Sequence, residues 1–243
     1  MSISSNTSGQ LTVPYRGTAH NTPCSFSCWA KLLANNGTNF GSVLTMEDSY
    51  FNTYPYIGRN GTGNGVVYSP GSLGNFQIVA DGTKWFFCAA TFDGTGGPST
   101  GIGLDSKGVW VVQTTASSSN GGSGLPSILI GGQQISSGVS TNADNVAYRG
   151  VHIWTEAKTI AFLKAQASQL APVEENNLFS TTWPYDKTLS NLGHSNVGHP
   201  WSVFAGTWTQ TTDEPPVPEV INKRAWAFAP RQQGGISVPF WAA

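Results

Sequence analysis

The chain has 243 residues, with 12 Lys or Arg and 13 Asp or Glu, so 10% are charged against ~25% in ordinary globular domains. A hydrophobic fraction of 39% is enough for a core and excludes a disordered, charge-rich segment. A net charge of −1 leaves no basic excess for a phosphate backbone, which excludes nucleic acid as the main partner.

The length suits one large β domain, or one domain plus an extension. Polarity must come from Ser, Thr, Asn, Gln and the backbone. Such side chains compete for backbone hydrogen bonds and favour turns and strands over helices. Gly is also high, 29 residues or about 12% against a usual ~7%. The expectation is an all-β protein with many glycine turns.

Residues 1–9 have neither a basic segment nor an apolar one, so they do not read as a secretory leader. No run approaches ~18 apolar residues, so no transmembrane helix is predicted. Residues 10–16 read as a short strand. Residues 25–31 alternate, with Phe26, Cys28 and Ala30 on one face and Ser27, Trp29 and Lys31 on the other. Residues 41–47 and 54–59 are weaker strands around an aromatic loop. Residues 75–80 and 84–92 are strands, and Asp81-Gly82 between them is a hairpin signal. Asp93-Gly94 closes the second in the same way. Residues 108–115 and 126–131 follow, separated by a Ser/Gly-rich loop. Residues 145–154 end the series. One helix is predicted over 156–169, with Thr155 as N-cap and Ile160, Leu163 and Ala167 on one face.

The cysteines are Cys24, Cys28 and Cys88. Cys24 and Cys28 would lie ~13 Å apart on a strand, too far to bridge. A Cys28–Cys88 bond across facing strands stays open. The odd count and absent leader favour free, buried thiols.

Composition shifts near residue 170. Residues 1–170 hold 24 of the 29 Gly, whereas 171–243 hold 8 of the 14 Pro and five Trp. The reading is a domain over 1–170 and an extension over 171–243. Part of the extension would complete the domain, with a strand pair near 178–183 and 201–209. Residues 213–243 would form a docking tail, because an apolar end left in water is a sticky patch.

Four stretches in order resemble the concanavalin A-like jelly rolls of the laminin-G/pentraxin type. Phe26 to Lys31 is similar to their opening strand. Trp85 to Gly94 is similar to their "W-H-H-V-A-x-T-Y-D-G" strand and turn. Ile128 to Gly132 is similar to "L-x-I-G". Tyr148 to Trp154, then Ala161 to Ala165, is similar to their late strand and closing helix. The resemblance covers about residues 10–170. It implies a two-sheet antiparallel jelly-roll sandwich with one short helix, followed here by an irregular aromatic, Pro-rich extension. Tyr148-Arg149-Gly150 replaces the family's acidic pair and puts its calcium site in doubt. Phe179 to Pro184 and Thr207 to Pro218 resemble segments that follow such jelly rolls in bacteriophage-encoded proteins.

Glycosidases of this fold need two carboxyl groups ~5–9 Å apart. Glu47 and Asp48 are adjacent and would face opposite ways on a strand, and Asp213-Glu214 sit beside prolines. The sequence therefore reads as non-enzymatic, with glycoside hydrolase the weaker alternative. His194 and His199 lack a third metal ligand. Asp48, Asp93, Asp105 and Asp144 could bind calcium with turn carbonyls, but Asp before Gly is ordinary turn chemistry. No cofactor is expected.

Tyr54, Tyr56, Trp183 and Tyr185 lie in polar segments, and sugar sites use such rings as stacking faces. They are the glycan-binding candidates, against packing onto the sandwich. Trp201, Trp208, Trp226, Phe240 and Trp241 are the assembly-interface candidates, since Trp is enriched in hot spots. The leading expectation is a virion structural protein, a capsid decoration or tail-associated module present as a homo-oligomer or in many copies beside other virion proteins. Such a protein is made in the host cytoplasm and needs no leader. The alternative is a lectin-like module for host-surface glycans. No membrane partner is expected.

Overall fold

The computed structural model describes residues 2–5, 10–14, 23–34, 40–47, 53–60, 63–69, 75–94, 97–116, 127–130, 133–136, 139–141, 145–182, 202–205 and 208–217. In chain order the strands are β1 (Ser2–Ser5), β2 (Gln10–Pro14), β3 (Cys24–Ala34), β4 (Phe40–Glu47), β5 (Thr53–Asn60) and β6 (Val66–Ser69). Then come β7 (Phe76–Val79), β8 (Phe86–Phe92), β9 (Ser99–Leu104), β10 (Trp110–Thr115), β11 (Ser127–Ile130), β12 (Gln133–Ser136), β13 (Val139–Thr141) and β14 (Asn145–Trp154). Helix α1 (Ile160–Gln166) precedes β15 (Leu178–Thr181), β16 (Ser202–Ala205) and β17 (Trp208–Thr211).

Two antiparallel sheets form a jelly-roll sandwich. Sheet A runs β10-β9-β8-β3-β14-β1-β17, with β15 also on β14, and sheet B runs β16-β2-β11-β4-β5-β6-β7. The hairpin β12-β13 stands apart. The alternation predicted for 25–31 is what builds the core. Phe26, Cys28 and Ala30 face inward with Phe86, Cys88, Phe92, Tyr148 and Ile153, against Val43, Leu44, Ile57, Val66, Tyr68 and Ile78 of sheet B. The Tyr148 hydroxyl donates to Val43 O at 2.9 Å and ties the sheets together. Cys28 and Cys88 are register partners with their Sγ atoms 3.5 Å apart, and all three cysteines are free and buried.

The other face of sheet A is also apolar. Trp29, Trp85, Phe87, Ile102, Ala147 and Trp154 lie there beneath Leu163, Ala167 and Leu170 from α1 and the loop after it. Trp154 meets Phe162 edge-on at 5.2 Å. Gly150 has φ 57 at a bulge in β14, and a Cβ there would meet Leu170 O at 3.0 Å. Glycine therefore lets the loop approach the sheet.

Several expectations change. Asp81-Gly82 does not close a hairpin, because β7 lies in sheet B and β8 in sheet A. The turn crosses between sheets. Gly82 O accepts from Leu32 N at 2.8 Å, and Gly82 N donates to Asn64 O at 2.7 Å. Asp93-Gly94 does join paired neighbours, β8 and β9. The helix starts later than predicted, with Thr159 as N-cap, its hydroxyl oxygen accepting from Phe162 N. Residues 156–158 are held elsewhere: Lys158 N donates to Ser25 Oγ at 2.7 Å, and Lys158 Nζ pairs with Glu156 and Glu174.

The strand pair predicted near 178–183 and 201–209 does not form. Leu178–Thr181 pairs with β14, while Ser202–Ala205 pairs with β2 in the opposite sheet. Trp208–Thr211 pairs with β1. Three strands after residue 170 thus pair with strands built from earlier residues. Strand β9 had not been predicted, because Gly101 and Gly103 weaken its pattern. A Cβ at either would collide, with the Tyr68 ring and the Ile78 backbone respectively.

Candidate functional site

Among the candidate aromatics, the structure describes the side chains of Tyr56 and Trp208. The side chain of Tyr54, and Trp183 and Tyr185 altogether, lie outside the described residues, as do Trp201, Trp226, Phe240 and Trp241. Trp208 is buried, 6% exposed, with its ring 5.8 Å from that of Tyr148. It is a core residue in this fold and not an exposed anchor, because pairing of β17 with β1 carries it into the sandwich.

Tyr56 lies on the outer face of sheet B. Its neighbour Ile57 points into the core, so alternation turns Tyr56 outward. Register then sets its companions. Thr45 lies opposite Tyr56 on β4, and Ser69 lies opposite it on β6. The Tyr56 hydroxyl donates to Asn75 Oδ1 at 3.1 Å and is in hydrogen-bond contact with the Ser69 side chain. Burial raises the Tyr56 pKa, and the bonds to Ser69 and Asn75 oppose that. The phenol therefore stays a neutral donor.

Burial deepens along this row. Asn75 is exposed, Tyr56 half-buried, and Thr45 fully buried. The Thr45 hydroxyl is buried with no hydrogen-bond partner. Such an orphan costs about 1–3 kcal/mol. Gln77, exposed on β7, adds an amide near the rim, opposite Val67. The row carries hydroxyl, amide and aromatic groups and no formal charge. Thr45, Ser69 and Asn75 were not singled out in the sequence. Their grouping depends on register across three strands, which no local pattern carries.

Elsewhere several described acidic groups are engaged in structure. Asp105 Oδ1 accepts from Lys107 N and Val109 N in a turn, and Asp81 Oδ1 accepts from Thr83 N and Oγ1. Asp213 pairs with Lys31 and accepts from Trp85 Nε1 at 3.0 Å. Those bonds hold its carboxyl below the usual range. Glu214 pairs with Arg149. Among the described residues no group of three or more His, Cys, Asp or Glu is placed to hold a metal ion. Asp48 and Asp144, named above for calcium, and His194 and His199 lie outside the described residues. No described helix is long and apolar enough to cross a membrane.

No protein-family model matches the sequence, and no curated protein is significantly similar to it. Solved structures do match. A native heptameric SAP-like pentraxin from Limulus polyphemus aligns with a TM-score of 0.51 at 14% identity, over 69% of this chain and 82% of its own. A candidate carbohydrate-binding protein from Bacteroides ovatus aligns with a TM-score of 0.56 at 11% identity, over 88% of this chain and 61% of its own. At such identities the likeness speaks for the fold alone. Together with the two antiparallel sheets and the single helix among the described residues, it shows the fold of a concanavalin A-like jelly roll.

Proposed function

We propose that this protein is a non-enzymatic, lectin-like module that takes a neutral glycan on the outer face of sheet B. The observation that carries the reading is the half-buried Tyr56 ring, whose hydroxyl is bonded to the exposed Asn75. A sugar offers C–H faces to an aromatic ring and hydroxyls to amide and hydroxyl partners. A neutral ligand suits a row without formal charge. The Bacteroides ovatus protein of the same fold is described as a candidate carbohydrate binder, which agrees with this chemistry. A glycan array on the full chain, with and without calcium, tests the proposal. We expect binding that Tyr56→Ala and Asn75→Ala each weaken at least tenfold, about 1.4 kcal/mol. No binding to any glycan, or binding untouched by both variants, would sink it.

A second reading is compatible with the first: the module is a structural component of a phage virion, present in many copies and carried by its tail. The observation favouring it is the strap at 213–217. Asp213 and Glu214 pair with Lys31 and Arg149, and Val217 packs on the sheet A cluster. The last described residues before the Pro- and Trp-rich end of the sequence are thus fixed to sheet A. Mass spectrometry of purified particles, and capsid or tail genes beside this one, test this reading. Absence from particles would count against it.

A further inference from the structure

Sheet edges expose unpaired backbone groups, and proteins protect them with bulges, charge or proline. Four edge strands here can be compared with a fifth, and of the four β15 carries a register shift against β14. The edge β7 carries a register shift against β6, and the edge β16 carries one against β2. Strand β17 runs directly into Asp213, Glu214 and two prolines. Strand β10 has none of these. Its six residues pair with β9 without a shift, from Trp110 opposite Leu104 to Thr115 opposite Ser99. Residues 109–115 contain no charge and no proline.

The direction of its free groups follows from one bond. Asp105 N donates to Val109 O at 3.1 Å, closing the turn before β10. Antiparallel ladders alternate from there, so Val111, Gln113 and Thr115 bond to β9. The N–H and C=O of Trp110, Val112 and Thr114 point the other way. No described strand pairs with that side.

We propose that β10 is the contact by which a second copy of this chain adds to sheet A, antiparallel, about a two-fold axis through Val112. The strand is self-complementary in that register. Val112 faces Val112 of the second copy, Trp110 faces Thr114, and the outward N–H and C=O of all three are satisfied reciprocally. No like charges meet. Val111 falls opposite Gln113. Trp110 and Val112 already pack on the apolar cluster outside sheet A, so pairing would join two such clusters into one. The Trp110 ring, with Lys164 Nζ 5.2 Å from its centroid, would sit on either side of the axis, four residues from its symmetry mate.

Sedimentation velocity of the full chain over a concentration series tests this. We expect a dimer that Val112→Lys converts to monomer, because two ammonium groups would meet on the axis. Thr114→Pro should do the same, since it removes an outward N–H that β9 does not use. Circular dichroism checks that each variant folds. Val112→Cys should give a covalent dimer under mild oxidation, since only this register brings the two positions together. A wild-type chain that stays monomeric, or an oligomer that survives both Val112→Lys and Thr114→Pro, would overturn the proposal. So would an oligomer in which Val112→Cys forms no cross-link.

Discussion

Arg149 donates its Nε–H to Glu214 Oε2 at 3.1 Å, and the two residues lie 65 positions apart in the sequence. The guanidinium is 1% exposed and the carboxylate 34%. A charge so buried depends on its bonded partners. Glu214→Ala should lower unfolding free energy by about 2 kcal/mol, the usual scale for a hydrogen bond to a charged group. Glu214→Gln should lose less. Urea melts of the three proteins decide it, and equal midpoints would mean that the pair adds nothing.

The same strap fixes where the tail can be cut. A chain ending after Val217 keeps the bonds of Asp213 and Glu214 and the packing of Val217, and should melt with the full-length protein. A chain ending before Asp213 loses all of them and should melt lower. Under the virion reading, both should fail to assemble on particles. A shorter chain that still assembles would remove the tail from that role.

His152 makes the stability depend on pH. Its Nε2–H donates to Leu170 O at 3.0 Å, so Nδ1 accepts from the Thr181 hydroxyl at 2.8 Å. The ring is therefore neutral, and burial pulls its pKa from 6.5 down to about 3. The unfolded chain takes up a proton below its ordinary pKa while the folded chain does not. The contribution is fully present above pH ~6.5 and declines by about 1.4 kcal/mol per unit as pH falls toward the folded value. Between pH ~6 and ~4.5 the acid loss should be flatter in His152→Gln than in the wild type. Urea midpoints across that range measure it. Parallel slopes would show that another group dominates.

Thr45→Val separates folding from binding. The substitution removes a buried hydroxyl without a partner and keeps the shape. Stability should rise by about 1–3 kcal/mol. Glycan affinity should stay unchanged in the same protein, because a fully buried hydroxyl does not reach a ligand. A fall in affinity would mean that the sheet opens over Thr45 when the glycan binds.

Gly103→Ala should be strongly destabilising, since its Cβ would meet the Ile78 backbone and not a side chain that can turn away. Overpacking of that kind costs about 1–3 kcal/mol or more. Thermal melts check it, and a neutral result would mean that the sheets can separate locally.

Much of the fold was legible because its central strands carry their own pattern. Alternation in 25–31 named the inward residues Phe26, Cys28 and Ala30, and the order of four resemblances gave the jelly roll. What stayed hidden is non-local. Asp81-Gly82 has hairpin chemistry, yet its bonds to Leu32 and Asn64 carry the chain from one sheet to the other. Strand β9 carries glycines because Tyr68 and Ile78 press on it from across the sandwich. The candidate site was legible only as Tyr56, because Thr45 and Ser69 join it through register. Trp208 looked like a surface anchor because its burial depends on a partner strand far away in the sequence.

Strand β1 lies between β14 and β17, with Ser5 opposite Trp208. In a growing chain, β1 must wait for β17 to be made. At translation rates of ~5–20 residues per second, that interval is roughly 10–40 s. Until β14 emerges both edges of β1 are open to other chains, and until β17 follows one of them still is. Few charges are available to keep strangers away. The yield of this protein in a cell should therefore follow the pace of its ribosomes and the chaperones waiting at their exit.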